Sequence, residues 1–306
     1  MANPTANDVH IDGPLANISI AYKNDGYIAD QIFPVVPVQK KSDKYFVFEK
    51  TAWYRNELSE RGPGTEAQEA DYGITSASYN CITRALAKLI PDEIRANSDQ
   101  PLRPDVEATE FVTDKLLLGR EMRVAALTTG GSNLRIYSSA PTVQWSSDSS
   151  EPLTNIETLI DTIVGSVGRF PNIAVMSWAV WKALRNHPDL LERVKYTRTD
   201  GVVRVSDLET WTGIPKILVG MQIFDSGKEG ATSSIGYVWG DQFWAGYVPP
   251  SPSLMTPSAG YMFTWEGRTV RRYRLDTRHS DKIEVEEATA EVISASDAGG
   301  VLINVV

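Results

Sequence analysis

The sequence predicts an α+β fold organised around one long helix, and three observations carry that expectation. Residues 104–129 read as a single helix with a chemically marked start and stop. Residues from Ser42 to about Leu89 read as a two-stranded excursion with a polar tip, which is marginal alone in water and implies a second surface to lie on. Residues 151–250 alternate short helices and strands as a compact α/β unit, and a β-rich stretch over 251–306 closes the chain.

The helix is explicit at both ends. Arg103 precedes a proline and is pushed out of the αR region, Pro104 is preset for the first helical position, and Asp105 and Glu107 put negative charge on the first-turn N–H groups. Arg120 and Arg123 suit the C-terminal half, and Thr128-Thr129-Gly130-Gly131 predicts a left-handed glycine cap. Between them Ala108, Phe111, Val112, Leu118, Met122 and Ala125 recur at helical spacing and predict the covered face, broadened by Leu116 and Leu117. Glu107, Glu110, Asp114 and Glu121 are expected elsewhere on the helix. At ~1.5 Å per residue the element is a strut on the order of 40 Å long. Gly119 costs about 1 kcal/mol relative to alanine, so its presence predicts another backbone passing close.

Length and composition exclude several classes. With 306 residues, 42% of them hydrophobic, the chain has material for about two domains. No apolar run approaches the ~20 residues of a transmembrane helix. The opening Met1 to Asp8 lacks a basic n-region and an apolar h-region, which predicts no secretory signal and residence in a cytoplasm. Cys81 is the only cysteine, so no intrachain disulfide or cysteine-cluster metal site can form, and a small buried hydrophobe is its expected role. A formal charge of −9 argues against a general nucleic-acid binder.

In chain order, residues 1–40 hold scattered apolar side chains such as Ile11, Leu15, Ile18 and Ile20 among Asn, Pro and Asp, which fits an extended arm. Tyr27 to Val38 contains Pro34 and Pro37, so it can be a strand only where an edge need not donate. Tyr45 to Phe48 is a strand by composition, and Trp53-Tyr54 leads into Arg55 to Arg61 and the breaker Gly62-Pro63-Gly64. A returning strand is expected over Tyr72 to Leu89. Residues 80–150 carry the long helix and then short strands or loop over Asn133 to Ser150, ending in a serine-rich boundary. The α/β unit is expected to hold helices at Thr154–Val167, Trp178–Asn186, Leu190–Lys195 and Val205–Thr212, with strands at Ile173–Met176, Lys216–Phe224 and Ile235–Trp239. A proline-rich linker over 249–260 leads to strands at Phe263–Leu275 and Lys282–Ile293 and a final apolar run, Val301 to Val306.

Catalytic chemistry is not legible. His10, His187 and His279 are far apart without metal-ligand spacing, and surface or capping roles are the commoner fate of such residues. Gly165-Ser166-Val167-Gly168 lacks the spacing of a nucleophile turn and reads as a helix end; Gly227-Lys228 lacks the remainder of a phosphate loop. No catalytic, metal or cofactor-binding residue is assigned. Two charge groups stand out: Arg268, Arg271, Arg272, Arg274 and Arg278 in one β segment, and Glu284, Glu286, Glu287 and Glu291 in the next. Arg272 and Arg274 share a strand face, as do Glu284 and Glu286, which allows cross-strand pairing within the chain or pairing between subunits.

The order of parts is more specific than any motif. Ala29-Asp30-Gln31-Ile32-Phe33-Pro34-Val35-Val36-Pro37-Val38, Gly64-Thr65-Glu66-Ala67 with Glu69-Ala70-Asp71-Tyr72, Ile90-Pro91-Asp92-Glu93 and Glu107 to Met122 together resemble the major capsid proteins of tailed bacteriophages, of the Hong Kong 97 fold. The resemblance covers nearly the whole chain. It implies an N-arm over 1–40, an E-loop over 41–79, a peripheral domain over 80–150 with its spine helix at 104–129, an inserted axial domain over 151–250, and a return to the peripheral domain over 251–306, with the final strand rejoining the axial sheet. It implies a non-enzymatic protein that forms pentamers and hexamers and closes an icosahedral shell around double-stranded DNA held by weak contact. Virion residence after assembly in the host cytoplasm follows, as do a portal and possible decoration proteins as partners. Some relatives carry an N-terminal scaffolding segment; a start at Met1 directly in the arm favours a separate scaffold protein. On this reading Trp53, Tyr54, Arg55, Glu57, Glu60 and Arg61 of the excursion and Arg271, Arg272, Arg274, Glu284 and Glu286 of the β segment are candidate assembly contacts. An encapsulin-like shell enclosing a cargo enzyme shares the fold and stands as the alternative.

Overall fold

The computed structural model describes residues 24, 26–98, 102–130, 138–196, 201–228, 230, 232–252 and 256–306. Residues 1–23 and 131–137, where the beginning of the arm and part of the Asn133–Ser150 segment are expected, lie outside them. A one-turn helix α1 (Ala29–Ile32) leads to β1 (Val35–Val38), β2 (Ser42–Phe48), a short helix α2 (Lys50–Tyr54), β3 (Ile74–Asn80) and β4 (Ile82–Pro91). Next come α3 (Asp92–Asn97), the long helix α4 (Pro104–Thr129) and β5 (Ser138–Ser139). The middle of the chain holds α5 (Pro152–Val167), β6 (Ile173–Ser177), α6 (Trp178–Arg185), α7 (Pro188–Lys195), α8 (Val205–Thr212), β7 (Ile217–Gly220), β8 (Ile223–Asp225), β9 (Ile235–Tyr237) and β10 (Phe243–Gly246). The chain then supplies β11 (Tyr261–Trp265), β12 (Thr269–Leu275), β13 (Ser280–Val292) and β14 (Gly299–Leu302).

Two five-stranded sheets divide the work. In the first, β13 pairs antiparallel with β4 on one edge, and on the other with β12 and then β11, which lie end to end. The break between β11 and β12 falls at Glu266, whose φ is 52°. β1 adds parallel to β11 at the rim, so Pro37 sits on an edge strand, where the missing N–H costs no ladder bond. α4 lies across β4 and β13. The second sheet runs β5-β14-β10-β6-β7, and α5 packs Ile156, Leu159 and Ile163 onto Met176, Leu184, Leu190 and Phe243. Two ribbons stand outside the sheets: β2 with β3, and β8 with β9.

Local chemistry fixes the helix ends. α5 starts on Pro152 and stops at Gly168, which takes φ 68° and donates its N–H to Val164 O at 2.8 Å. Ser177 Oγ caps α6, and buried His187 caps α7 by accepting from Asp189 N through Nδ1 while Nε2 meets Ser150 Oγ at 2.9 Å.

α4 has the predicted bounds, but its buried face needs correction. Ala108, Val112, Leu116, Val124 and Ala125 are covered, whereas Phe111 and Met122 are exposed and Arg120 and Glu121 are buried. Gly130 is extended at φ −71°, with its N–H on Ala126 O, and Gly131, the other candidate for the left-handed cap, lies outside the described residues. Among the described residues no backbone crosses at Gly119; a Cβ there would meet Arg123 Nη1, at 3.5 Å. The expected single strand over Tyr72–Leu89 is two, divided at buried Cys81, whose N–H donates to Lys41 O. Phe263–Leu275 and Lys216–Phe224 divide likewise, the latter into β7 and β8. α2 and β10 were not foreseen.

Candidate functional site

The excursion is a ribbon with an aromatic root. β2 and β3 pair from Ser42↔Asn80 to Phe48↔Ile74, and residues 55–73 beyond them carry no helix or strand. Phe48, Trp53 and Tyr72 meet with ring centroids 6.2, 5.8 and 6.1 Å apart. These contacts stiffen the root without hiding it: Trp53, Tyr54, Tyr72 and Phe46 remain exposed, and Leu58 at the tip is 93% accessible. Arg55 pairs with Glu57 at 3.2 Å, Arg61 Nε donates to Thr65 O at 2.5 Å, and Glu60 is exposed. The root also touches the α/β unit of its own chain. Tyr54 Oη donates to Val167 O at 2.5 Å, beside the α5 cap, and Lys50 pairs with Asp297 at 2.7 Å.

The charged β segment finds partners in its own subunit. Arg271 meets Glu286 at 2.7 Å, and Glu284 is met by Lys282 at 2.5 Å. Arg272 pairs with Asp281, while Arg274 reaches Asp92 at 2.6 Å and Asp281 at 3.4 Å. Arg95 joins Asp281 at 2.8 Å. The Arg272 hydrogen bond, opposed by burial and seconded by Arg95 and Arg274, holds the Asp281 carboxyl down at about 2. Asp281, Asp92 and Arg95 were missed in the sequence because they lie in two distant segments, α3 and β13, that only the pairing of β4 with β13 brings together.

A buried clasp lies where α4 meets β13. Glu287, 2% exposed at its side chain, receives Arg120 at 2.6 Å and 3.3 Å, and Arg268 and Arg123 at 3.5 and 3.8 Å. Arg120 also binds Asp30 at 2.6 Å, and Arg123 binds Glu291 at 2.9 Å. Burial opposes the Arg120 charge, but Glu287 and Asp30 outweigh it and raise its pKa. At Glu291 burial acts upward and the Arg123 contacts prevail, lowering the pKa. Glu121, fully buried one residue away, accepts from Ile28 N at 3.1 Å, Ala29 N at 2.9 Å and Trp239 Nε1 at 2.8 Å. Burial pushes its carboxyl up, with these three donors acting against it. One helical turn thus ties α1, the first sheet and the α/β unit. A signal was present: the stripe from Leu116 and Leu117 continues four residues on to Arg120 and Glu121, where charge would be wasted unless paired.

These arrangements hold surfaces and joints together. Among the described residues no group of His, Cys, Asp and Glu could hold a metal, and no helix is long and apolar enough to cross a membrane. The comparisons match this mixed helix and sheet fold over nearly the whole chain. No protein-family model matches the chain. It is 27% identical over 293 residues to the major capsid protein of Burkholderia phage BcepMu, covering 91% of this chain and 90% of that one. It is 26% identical to the major capsid protein of Pseudomonas phage JBD67 over 94% and 95% of the two chains. A crystal structure of a phage-related protein from Bordetella bronchiseptica superposes with a TM-score of 0.72 at 27% identity, covering 93% of this chain and 94% of the other. The capsid structure of cyanophage P-SCSP1u gives 0.66 over 98% and 94% at 11% identity, a likeness of fold alone.

Proposed function

We propose, from the premise that this chain is a phage major capsid protein, that its copies assemble as pentamers and hexamers and close an icosahedral shell around packaged double-stranded DNA. The observation that carries the reading is coverage: two phage major capsid proteins align with more than nine-tenths of the chain. Those relatives are structural proteins, not enzymes, and their names are those of virion components. On this reading residues 1–40 are an N-arm, 41–79 an E-loop, 80–150 with 251–306 a peripheral domain and 151–250 an axial domain of the Hong Kong 97 type. A scaffold protein and a portal are the further partners, with assembly in the host cytoplasm and DNA held weakly, in keeping with the charge of −9. The encapsulin-like alternative is not favoured, because the curated relatives named above are phage proteins.

The excursion is the assembly element we single out. Its exposed aromatic root and charged tip suit an apolar centre with a polar rim on a neighbouring copy. Arg271, Arg272, Arg274, Glu284 and Glu286 already have partners in the subunit, so contacts between copies would add to those pairs rather than replace missing ones. The test is to replace residues 50–68 with a short Gly-Ser turn and examine one preparation by circular dichroism and electron microscopy. Native helix content with no closed shells supports the reading; regular closed shells overturn it for this segment. For the chain as a whole, a subunit that stays monomeric across concentration, salt and added scaffold refutes shell formation.

A further inference from the structure

The β8–β9 ribbon has one edge that nothing among the described strands covers. β8 pairs with β9 through Ile223↔Tyr237, Phe224↔Gly236 and Asp225↔Ile235. On its other edge Ile223 donates its backbone N–H to Asn24 Oδ1 at 3.0 Å, and Asn24 Nδ2 donates to Ile223 O at 2.9 Å. The Asn24 side-chain amide therefore does what the backbone of a neighbouring strand would do. Gln222 Nε2 donates to Gly26 O, so the order Gly26 to Asn24 runs against the order Gln222 to Ile223. A strand continuing that order beyond Asn24 would run along β8 in the antiparallel sense, toward Asp225. The backbone N–H and C=O of Asp225 face the same edge as those of Ile223, two residues back. Its carboxylate is committed to Gly227 N, Ser233 Oγ and Ser234 N.

We propose that this edge is an acceptor for a third strand and that its occupant is the segment Leu15–Tyr22 of the same chain. The segment alternates Ile18, Ile20 and Tyr22 with Asn17, Ser19 and Ala21, the period of a half-buried strand. The ribbon offers the matching apolar face: Ile223, Ile235 and Tyr237 project to one side, and Ile235 is 66% exposed. A two-stranded ribbon of three residues a side is marginal, and an open edge invites pairing, so the added strand stabilises the ribbon and closes its edge together. Asn24 is the anchor that fixes where pairing begins.

Hydrogen exchange at the Asp225 backbone amide tests this on the full chain at a concentration below assembly. The amide exchanges at least ~10-fold more slowly in the full chain than in a variant lacking residues 1–22, while core amides such as Val175 are unchanged. In the full-length chain, Ile20→Pro with Tyr22→Pro gives the same acceleration, which keeps the test informative if truncation prevents folding. A synthetic peptide of residues 15–24 added to the truncated protein restores protection. Equal exchange in the full chain and in the proline variant overturns the proposal. Protection that falls on dilution of the full chain overturns it too, since it assigns the strand to a second copy.

Discussion

Glu287→Gln isolates the clasp, because it removes one charge with almost no change of shape. The wild-type carboxylate is 2% exposed and neutralises Arg120 at 2.6 Å, with Arg268 and Arg123 at 3.5 and 3.8 Å. After substitution Arg120, itself buried, keeps only Asp30 on the half-exposed α1. Stripping one partner from a buried pair leaves a desolvated charge and costs about 3–5 kcal/mol. Unfolding entropy of ~2.1 cal/mol/K per residue over 306 residues gives ~0.6 kcal/mol/K, so the melting temperature should fall by about 5–8 °C. Scanning calorimetry of the unassembled subunit reads this, with Glu286→Gln as the comparison, since an ion pair to half-exposed Arg271 is worth only ~0–1 kcal/mol. The double substitution Arg120→Met with Glu287→Leu should recover much of the loss, as apolar replacement of a whole buried pair often does. A Glu287→Gln subunit melting within about 1 °C of wild type would refute the argument that this charge holds α4 to β13.

Three further outcomes follow from the same geometry. Glu121→Ala strands the Ile28, Ala29 and Trp239 N–H groups in a buried site, which should cost about 3 kcal/mol and speed limited proteolysis around residues 24–34; unchanged cleavage there counts against the clasp. Asp281 has a folded pKa of about 2 against an ordinary 3.8, so its stabilisation is complete above the ordinary value and is lost as pH falls toward 2; Asp281→Asn should flatten that part of the acid-unfolding curve, and a curve identical to wild type there removes the linkage. Gly260→Ala would place a Cβ 2.5 Å from Phe33 Cε1 in the packed core, costing about 1–3 kcal/mol by overpacking, and an unshifted denaturation midpoint would contradict the packing described.

Which parts of this molecule a sequence discloses follows from the range of the interactions involved. α4 was legible to the residue because Arg103-Pro104, the first-turn acids and the long period are all local. Its inner face was not, because Arg120 and Glu121 are buried only by virtue of Glu287 and Trp239, more than a hundred residues away. Strand breaks failed for a related reason: Cys81 separates β3 from β4 because the two pair with different partners, not because its own conformation demands a stop. β10 was invisible as Phe-Trp-Ala-Gly, too short for a period although it is central to its sheet. The excursion was readable as an outline from its aromatic root and Gly-Pro-Gly tip, while the Tyr54 and Lys50 contacts that rest it on the α/β unit depend on Val167 and Asp297 arriving from elsewhere.

The place of β14 has a consequence in time. It lies between β5 and β10, and Trp145 N–H donates to Val305 O at 2.6 Å while Val305 N–H donates to Asp241 O at 2.9 Å. A ribosome delivers β6, β7 and β10 first, so until residues 299–305 emerge the sheet has an open flank. The nascent subunit is thereby kept from its finished form until those residues have left the ribosome.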